Sequence, residues 1–269
     1  MSTGTIAVPR WRTITFWVLM VVLLFLHLGE RPQMLTWLVT SFGGGHDGHE
    51  IHTFAQGVIG WTVIAAVAMN LRATARQVGS AWVYGLISVL AFAMFLALAD
   101  LPPEVVPIVA AVLVVGFVAF LAHPSSLRAK FRPVEPASRA LLALLAVAAV
   151  PLVVYAAGQL SIHAGSGPHD EHYQFGHWIV MAVYALTVIP IGLVAAFKVS
   201  GWRFPAWIAG AVVGLLGVAS LGIDAVSQLS TPWALAAIVW AVAFVAVAER
   251  EARRAAVAEP ETQRTPARS

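Results

Sequence analysis

Apolar residues in this chain gather into eight long runs separated by short polar stretches. The runs lie near Ile14–Leu28, Phe54–Asn70, Ala81–Ala99, Val105–Leu121, Ala140–Gln159, His177–Phe197, Pro205–Leu221 and Pro232–Ala248. Each approaches the roughly 20 residues that an α-helix needs to cross a bilayer. None shows the strict apolar–polar alternation of a membrane-barrel strand, and a helix satisfies its own backbone hydrogen bonds in lipid. The pattern predicts an all-α integral membrane protein with eight transmembrane helices. The first run follows Arg10 and Arg12 and ends in LGERPQ, without a small-x-small cleavage pattern. It therefore reads as a retained span and not as a signal peptide.

Composition agrees with that pattern. The chain is 59% hydrophobic and 11% charged, with a mean hydropathy of +0.82, whereas a soluble domain has about half apolar and about a quarter charged residues. The formal charge of +3 is spread over short loops between spans, so the expected partner is the lipid bilayer and not nucleic acid. Cysteine is absent, which excludes thiolate metal sites, disulfides and thiol nucleophiles.

The basic residues assign a side to each loop. Arg10 and Arg12 precede the first span, Arg72 and Arg76 follow the second, and Arg128, Lys130, Arg132 and Arg139 lie between the fourth and fifth. Lys198 and Arg203 follow the sixth, and Arg250, Arg253, Arg254, Arg264 and Arg268 follow the eighth. Threading the spans places all of these on one side and leaves only Arg31 on the other. Basic loops mark the cytoplasmic face, so both termini are expected there, in a cell inner (plasma) membrane.

The opposite side receives two histidine-rich stretches, GGGHDGHEIH (Gly43 to His52) and GSGPHDEHYQFGH (Gly165 to His177). His46-Asp47-Gly48-His49 matches His169-Asp170-Glu171-His172 at an offset of 123, and Asp100 matches Asp224 at 124. Ala81-Trp82-Val83-Tyr84-Gly85 matches Ala206-Trp207-Ile208-Ala209-Gly210 at 125. Nearly constant offsets predict two parallel four-helix repeats about an axis along the membrane normal. Residues 1–123 would form the first repeat, 124–138 a cytoplasmic linker and 139–248 the second repeat. Residues 249–269 would form a cytoplasmic tail, disordered at its end after a short helical extension.

If helices begin after the glycines, His46, His49 and His52 fall within about 120° of one face. His169 and His172 share a face in the second half, with His177 inside a sector of about 140°. Neutral imidazoles at a helix start are suitable metal ligands, and Asp47 and Asp170 would orient them. Glu50, Glu171, Asp100 and Asp224 could complete the set, as could His27 in the first span. Imidazole and carboxylate without thiolate point to zinc or copper(II) first, with iron or nickel open. A solvated loop that binds nothing and a pH-sensing loop are the competing readings. His123 falls at the other membrane face.

No Asp, Glu, Lys or Arg lies mid-span, which disfavours a charge-coupled transporter. Gln56, Tyr84, Tyr155, Tyr184 and Ser220 read as interhelical hydrogen bonders. Trp11, Trp17, Trp61, Trp82, Trp178, Trp202, Trp207 and Trp233 read mostly as an interfacial belt.

Two parallel four-helix units with both ends inside, an outward GSGPHDE loop before the sixth span and His177 opening that span resemble the heme A synthase family. The architectural likeness runs from the first to the last span, and the motif likeness covers Gly165–His177 and more loosely Gly43–His52. The resemblance implies heme held by His52 and His177 as the first partner of each half. The family's second partners, in the fourth helix of each half, have no counterpart here, nor do its loop cysteines. Three functions follow as expectations: an outward metal- or heme-binding membrane protein, a heme-handling or redox enzyme subunit, and a non-catalytic membrane partner or pH sensor.

Overall fold

The computed structural model describes residues 9–29, 36, 39–43, 49–73, 78–98, 106–125 and 127–262. Among them the chain is helical, with one isolated β-bridge between Pro133 and Val199. The helices are α1 (Arg10–Gly29), α2 (Glu50–Ala73), α3 (Val78–Leu98), α4 (Val106–Ala122), α5 (Leu127–Phe131), α6 (Arg139–Gly165), α7 (Glu171–Gln174), α8 (His177–Ala196), α9 (Arg203–Gly222) and α10 (Thr231–Thr262). Each of the eight apolar runs coincides with one of the long helices. Six of them, α2, α3, α6, α8, α9 and α10, are long and apolar enough to cross a membrane.

Helix ends lie beyond the apolar runs wherever the flanking residues favour capping or helix propagation. Ser138 caps α6, its hydroxyl accepting the Leu141 amide at 3.1 Å. Pro151 and Pro190 sit inside α6 and α8, which continue past them. The short helical extension expected of the tail is longer than that: α10 runs on through EREARRAAVAEPET to Thr262. Arg203 holds this extension through a fork onto Glu249, with one bond of 3.1 Å and one of 2.6 Å.

Packing follows the same neighbour order in each half. Consecutive long helices are in contact, and the first also packs on the fourth, giving α1–α2–α3–α4 closed on α1 and α6–α8–α9–α10 closed on α6. The halves meet through α2 and α3 on one side and α8 and α9 on the other. Burial reports the same layering: 72% of the apolar window of α8 is buried, against 22% for α6 and for α10. The outward faces of those two helices carry Val147, Val150, Val154, Val239 and Val242, all well exposed. An apolar surface of this extent is costly in water and suits contact with lipid.

The two ends of the bundle differ in chemistry. At one end Arg12 donates to the carbonyls of Leu121 (3.0 Å) and His123 (3.1 Å), closing the C-terminus of α4. Lys198 bridges Glu135 at 2.9 Å and Glu251 at 2.8 Å, tying the α4–α6 connection to α10. At the other end α2 and α8 begin, and the histidines gather.

Candidate metal centre

The amide of Thr53 donates to the His49 carbonyl at 2.9 Å, which puts His49 at the mouth of α2 and His52 in its first turn. In the second half Asp170 caps the single turn α7, its Oδ1 accepting the His172 amide at 2.8 Å. The expectation of one helical face through His169, His172 and His177 is corrected here. His169 precedes the cap and is exposed. The turn ends at Phe175, Gly176 adopts a left-handed φ of 61°, and α8 starts afresh at His177. A residue without Cβ takes that conformation at no steric cost. The break turns His177 back toward His172, their ring centroids 5.4 Å apart.

Four imidazoles then meet, two from each half. His49 stacks on His172 at 4.1 Å and 11°, and His52 stacks on His177 at 5.2 Å and 14°. The two stacks stand nearly perpendicular to each other, at 70° between His52 and His172 and 78° between His49 and His177. One ring nitrogen from each of the four lies within 4.8 Å of the other three. Among the described residues the four rings form one cluster shared by the two halves.

The partners of these rings decide which nitrogens carry protons. The Ser227 hydroxyl donates to the Gln159 side-chain carbonyl at 2.8 Å. Its single proton is thereby committed, so Ser227 accepts from His52 Nε2–H at 2.9 Å. Nδ1 of His52 is left with a lone pair, and it is buried without a hydrogen-bond partner among the described residues. His172 Nδ1 lies 3.2 Å from Asp170 Oδ1, and a carboxylate only accepts, so Nε2 of that ring is the basic nitrogen. His49 Nε2 faces Glu171 at 3.7 Å, an ion-pair distance, while its Nδ1 meets His177 Nδ1 at 3.2 Å. The proton-bearing sides of His49, His52 and His172 thus face acceptors outside the cluster. Metal-bound histidines are oriented in this way. Burial works to raise the Asp170 carboxyl, but the His172 amide and ring and the Tyr173 amide outweigh it and hold the group below its usual value.

Among the described residues, no other expected contributor joins this group. Asp224 is exposed, accepts from Gln228 at 3.1 Å and is not one of the grouped residues. His123 is buried at the arginine end and bonds Ser125 at 2.7 Å. His46, Asp47 and Asp100, and the side chain of His27, lie outside the described residues. Trp178, expected in the interfacial belt, is instead buried against the cluster, stacked on His172 at 5.1 Å and edge-on to His52 at 4.9 Å. Sequence reasoning missed Ser227, which sits in a loop with no local signal. It also passed over His163, one turn beyond Gln159 on α6, although two polar residues at that spacing in so apolar a helix were a signal. His163 Nε2 donates to the Leu98 carbonyl at 2.9 Å, and its ring stacks on Tyr173 at 4.5 Å.

Comparison with protein-family models, with characterised proteins and with solved structures finds no match to this chain.

Proposed function

We propose that this protein is an eight-span membrane protein, built as two copies of a four-helix unit. It holds one d-block metal ion, zinc or copper first, between His49, His52, His172 and His177 at the extracytoplasmic face. The observation that carries the reading is the meeting of four imidazoles with a buried, partnerless lone pair on His52. A zinc–imidazole bond of about 2.0–2.1 Å spaces tetrahedral ligand nitrogens by about 3.3 Å. The His49–His177 separation of 3.2 Å has that value already. Four neutral nitrogens without a carboxylate among them suit zinc or copper(II) over magnesium, calcium or manganese.

The eight-span reading adds α1 and α4, of 20 and 17 residues, to the six helices long and apolar enough to cross a membrane. The shared neighbour order of the two halves supports the duplication. Arginine-rich loops at the end away from the histidines support an outward cluster by the bias of basic residues to the cytoplasm.

The likeness to heme A synthases brings heme into consideration, with His52 and His177 as ligands. In that plan each of the two begins a separate ligand pair, one per half, whereas here their rings stack at 5.2 Å within one cluster and the second partners have no counterpart. That favours a bare ion.

Purification in mild detergent, with metal analysis and a visible spectrum on the same sample, tests the reading. About one zinc or copper per chain, lost on His52→Ala and on His172→Ala, is the expected result. An intense Soret band would replace the bare ion by heme. A colourless protein that takes up no metal after incubation would sink both and leave a pH sensor or structural partner.

A further inference from the structure

The seam between the halves is closed differently at its two ends. At the arginine end it is closed by backbone: the Gly79 amide donates to the Ser200 carbonyl at 2.7 Å, and a Cβ on Gly79 would lie 2.6 Å from the Gly201 carbonyl oxygen. Such an approach admits only glycine. At the histidine end, side chains join the halves. His49 reaches His177 at 3.2 Å and Glu171 at 3.7 Å, His52 reaches Ser227 at 2.9 Å, and His163 reaches the Leu98 carbonyl at 2.9 Å. Each of these contacts crosses from one half to the other, and each has a histidine as a partner.

We infer that the ion is a clasp between the two halves. Two of its ligands, His49 and His52, open α2 of the first half. The other two, His172 and His177, flank the Gly176 break in the second. An ion bound to all four is bound only when the seam is closed, so its binding draws the closed state from any equilibrium with a parted one. The backbone contact at Gly79 makes the arginine end the fixed end, and the histidine end the one that parts when the ion leaves. Metal supply outside the cell would then set how α2 and α8 sit against each other. This role rests on the metal reading and adds a conformational consequence to it.

The absence of cysteine permits a direct test on the full chain. Leu96→Cys on α3 and Val226→Cys after α9 lie in opposite halves toward the histidine end, and both side chains are exposed, at 66% and 76%. Spin labels there report the inter-half distance by double electron–electron resonance, with zinc content measured on the same samples. Chelation is expected to lengthen and broaden the distance distribution, and one equivalent of zinc to restore it. The same pair in a His172→Ala/His177→Ala background is expected to stay broad with zinc. One zinc per chain with an unchanged distribution would overturn the clasp and leave the metal reading standing. Uptake of neither zinc nor copper by the labelled protein would overturn both.

Discussion

Nδ1 of His49, from the first half of the chain, lies 3.2 Å from Nδ1 of His177, from the second. Two imidazole lone pairs do not rest at that distance without a cation or a proton between them. The zinc-loaded protein therefore depends on both rings. Substituting His49→Ala or His177→Ala should weaken zinc binding by more than the roughly 10–100-fold typical of losing an outer partner of a ligand. Competition titration against a chromophoric chelator measures this. Equal affinities in wild type and in both variants would remove these rings from the site.

Ser227 is predicted to act through His52 and not on the metal itself. Its hydroxyl accepts from Nε2 and thereby keeps the Nδ1 lone pair available. Ser227→Ala should cost about 10–100-fold in zinc affinity with no loss of helicity by circular dichroism. Gln159→Leu frees the Ser227 proton to point at His52, and should have the same sign with a smaller effect.

Gly176 sits at a φ of 61° with Phe95 3.0 Å from where a Cβ would be. Gly176→Ala should destabilise the protein by about 1–2 kcal/mol, the cost of an L-residue in left-handed backbone. Because the break aims His177 at His172, zinc affinity should fall as well. Thermal unfolding in detergent, with and without zinc, separates the two effects: the zinc-dependent gain in melting temperature shrinks in the variant.

Two buried lysines at the arginine end should respond to alkali in opposite ways. Lys130 donates to the Phe120 and Leu121 carbonyls and has no carboxylate partner among the described residues; burial, and then Arg12, push it down from 10.5 to about 8. Between those values the unfolded chain binds the proton and the folded chain does not, so stability rises with pH. Burial also works to lower Lys198, but the hydrogen bonds that it donates to Glu251 and Glu135 outweigh it and raise the group above 10.5. Its contribution is complete below 10.5 and is lost as pH climbs through the raised value. The melting temperature of wild type relative to Lys130→Met should therefore increase from pH ~8 to ~10. Relative to Lys198→Met it should stay level over that range.

The helices were legible because a chain able to cross lipid must carry long apolar runs, and runs such as Ala140–Gln159 are apolar over the length that a span needs. Their true ends depended on residues outside the apolar run, as at Ser138, whose hydroxyl starts α6. The site was legible in type but not in arrangement. His49, His52, His172 and His177 stand out in an apolar chain, yet which rings stack depends on the rotation of one half against the other. Local spacing holds no record of that rotation. His169 drops out because Asp170 caps the next turn, a detail that needs backbone angles. Ser227 is 175 positions from its partner His52, and a lone loop serine announces nothing.

X-ray absorption at the metal edge of the zinc- or copper-loaded protein tests the central claim most directly. Four imidazole nitrogens at about 2.0–2.1 Å, with the multiple scattering of the rings and no sulfur, is the result predicted here. Two or fewer imidazoles, with the shell filled by water or carboxylate oxygen, would contradict a four-histidine site shared by the two halves.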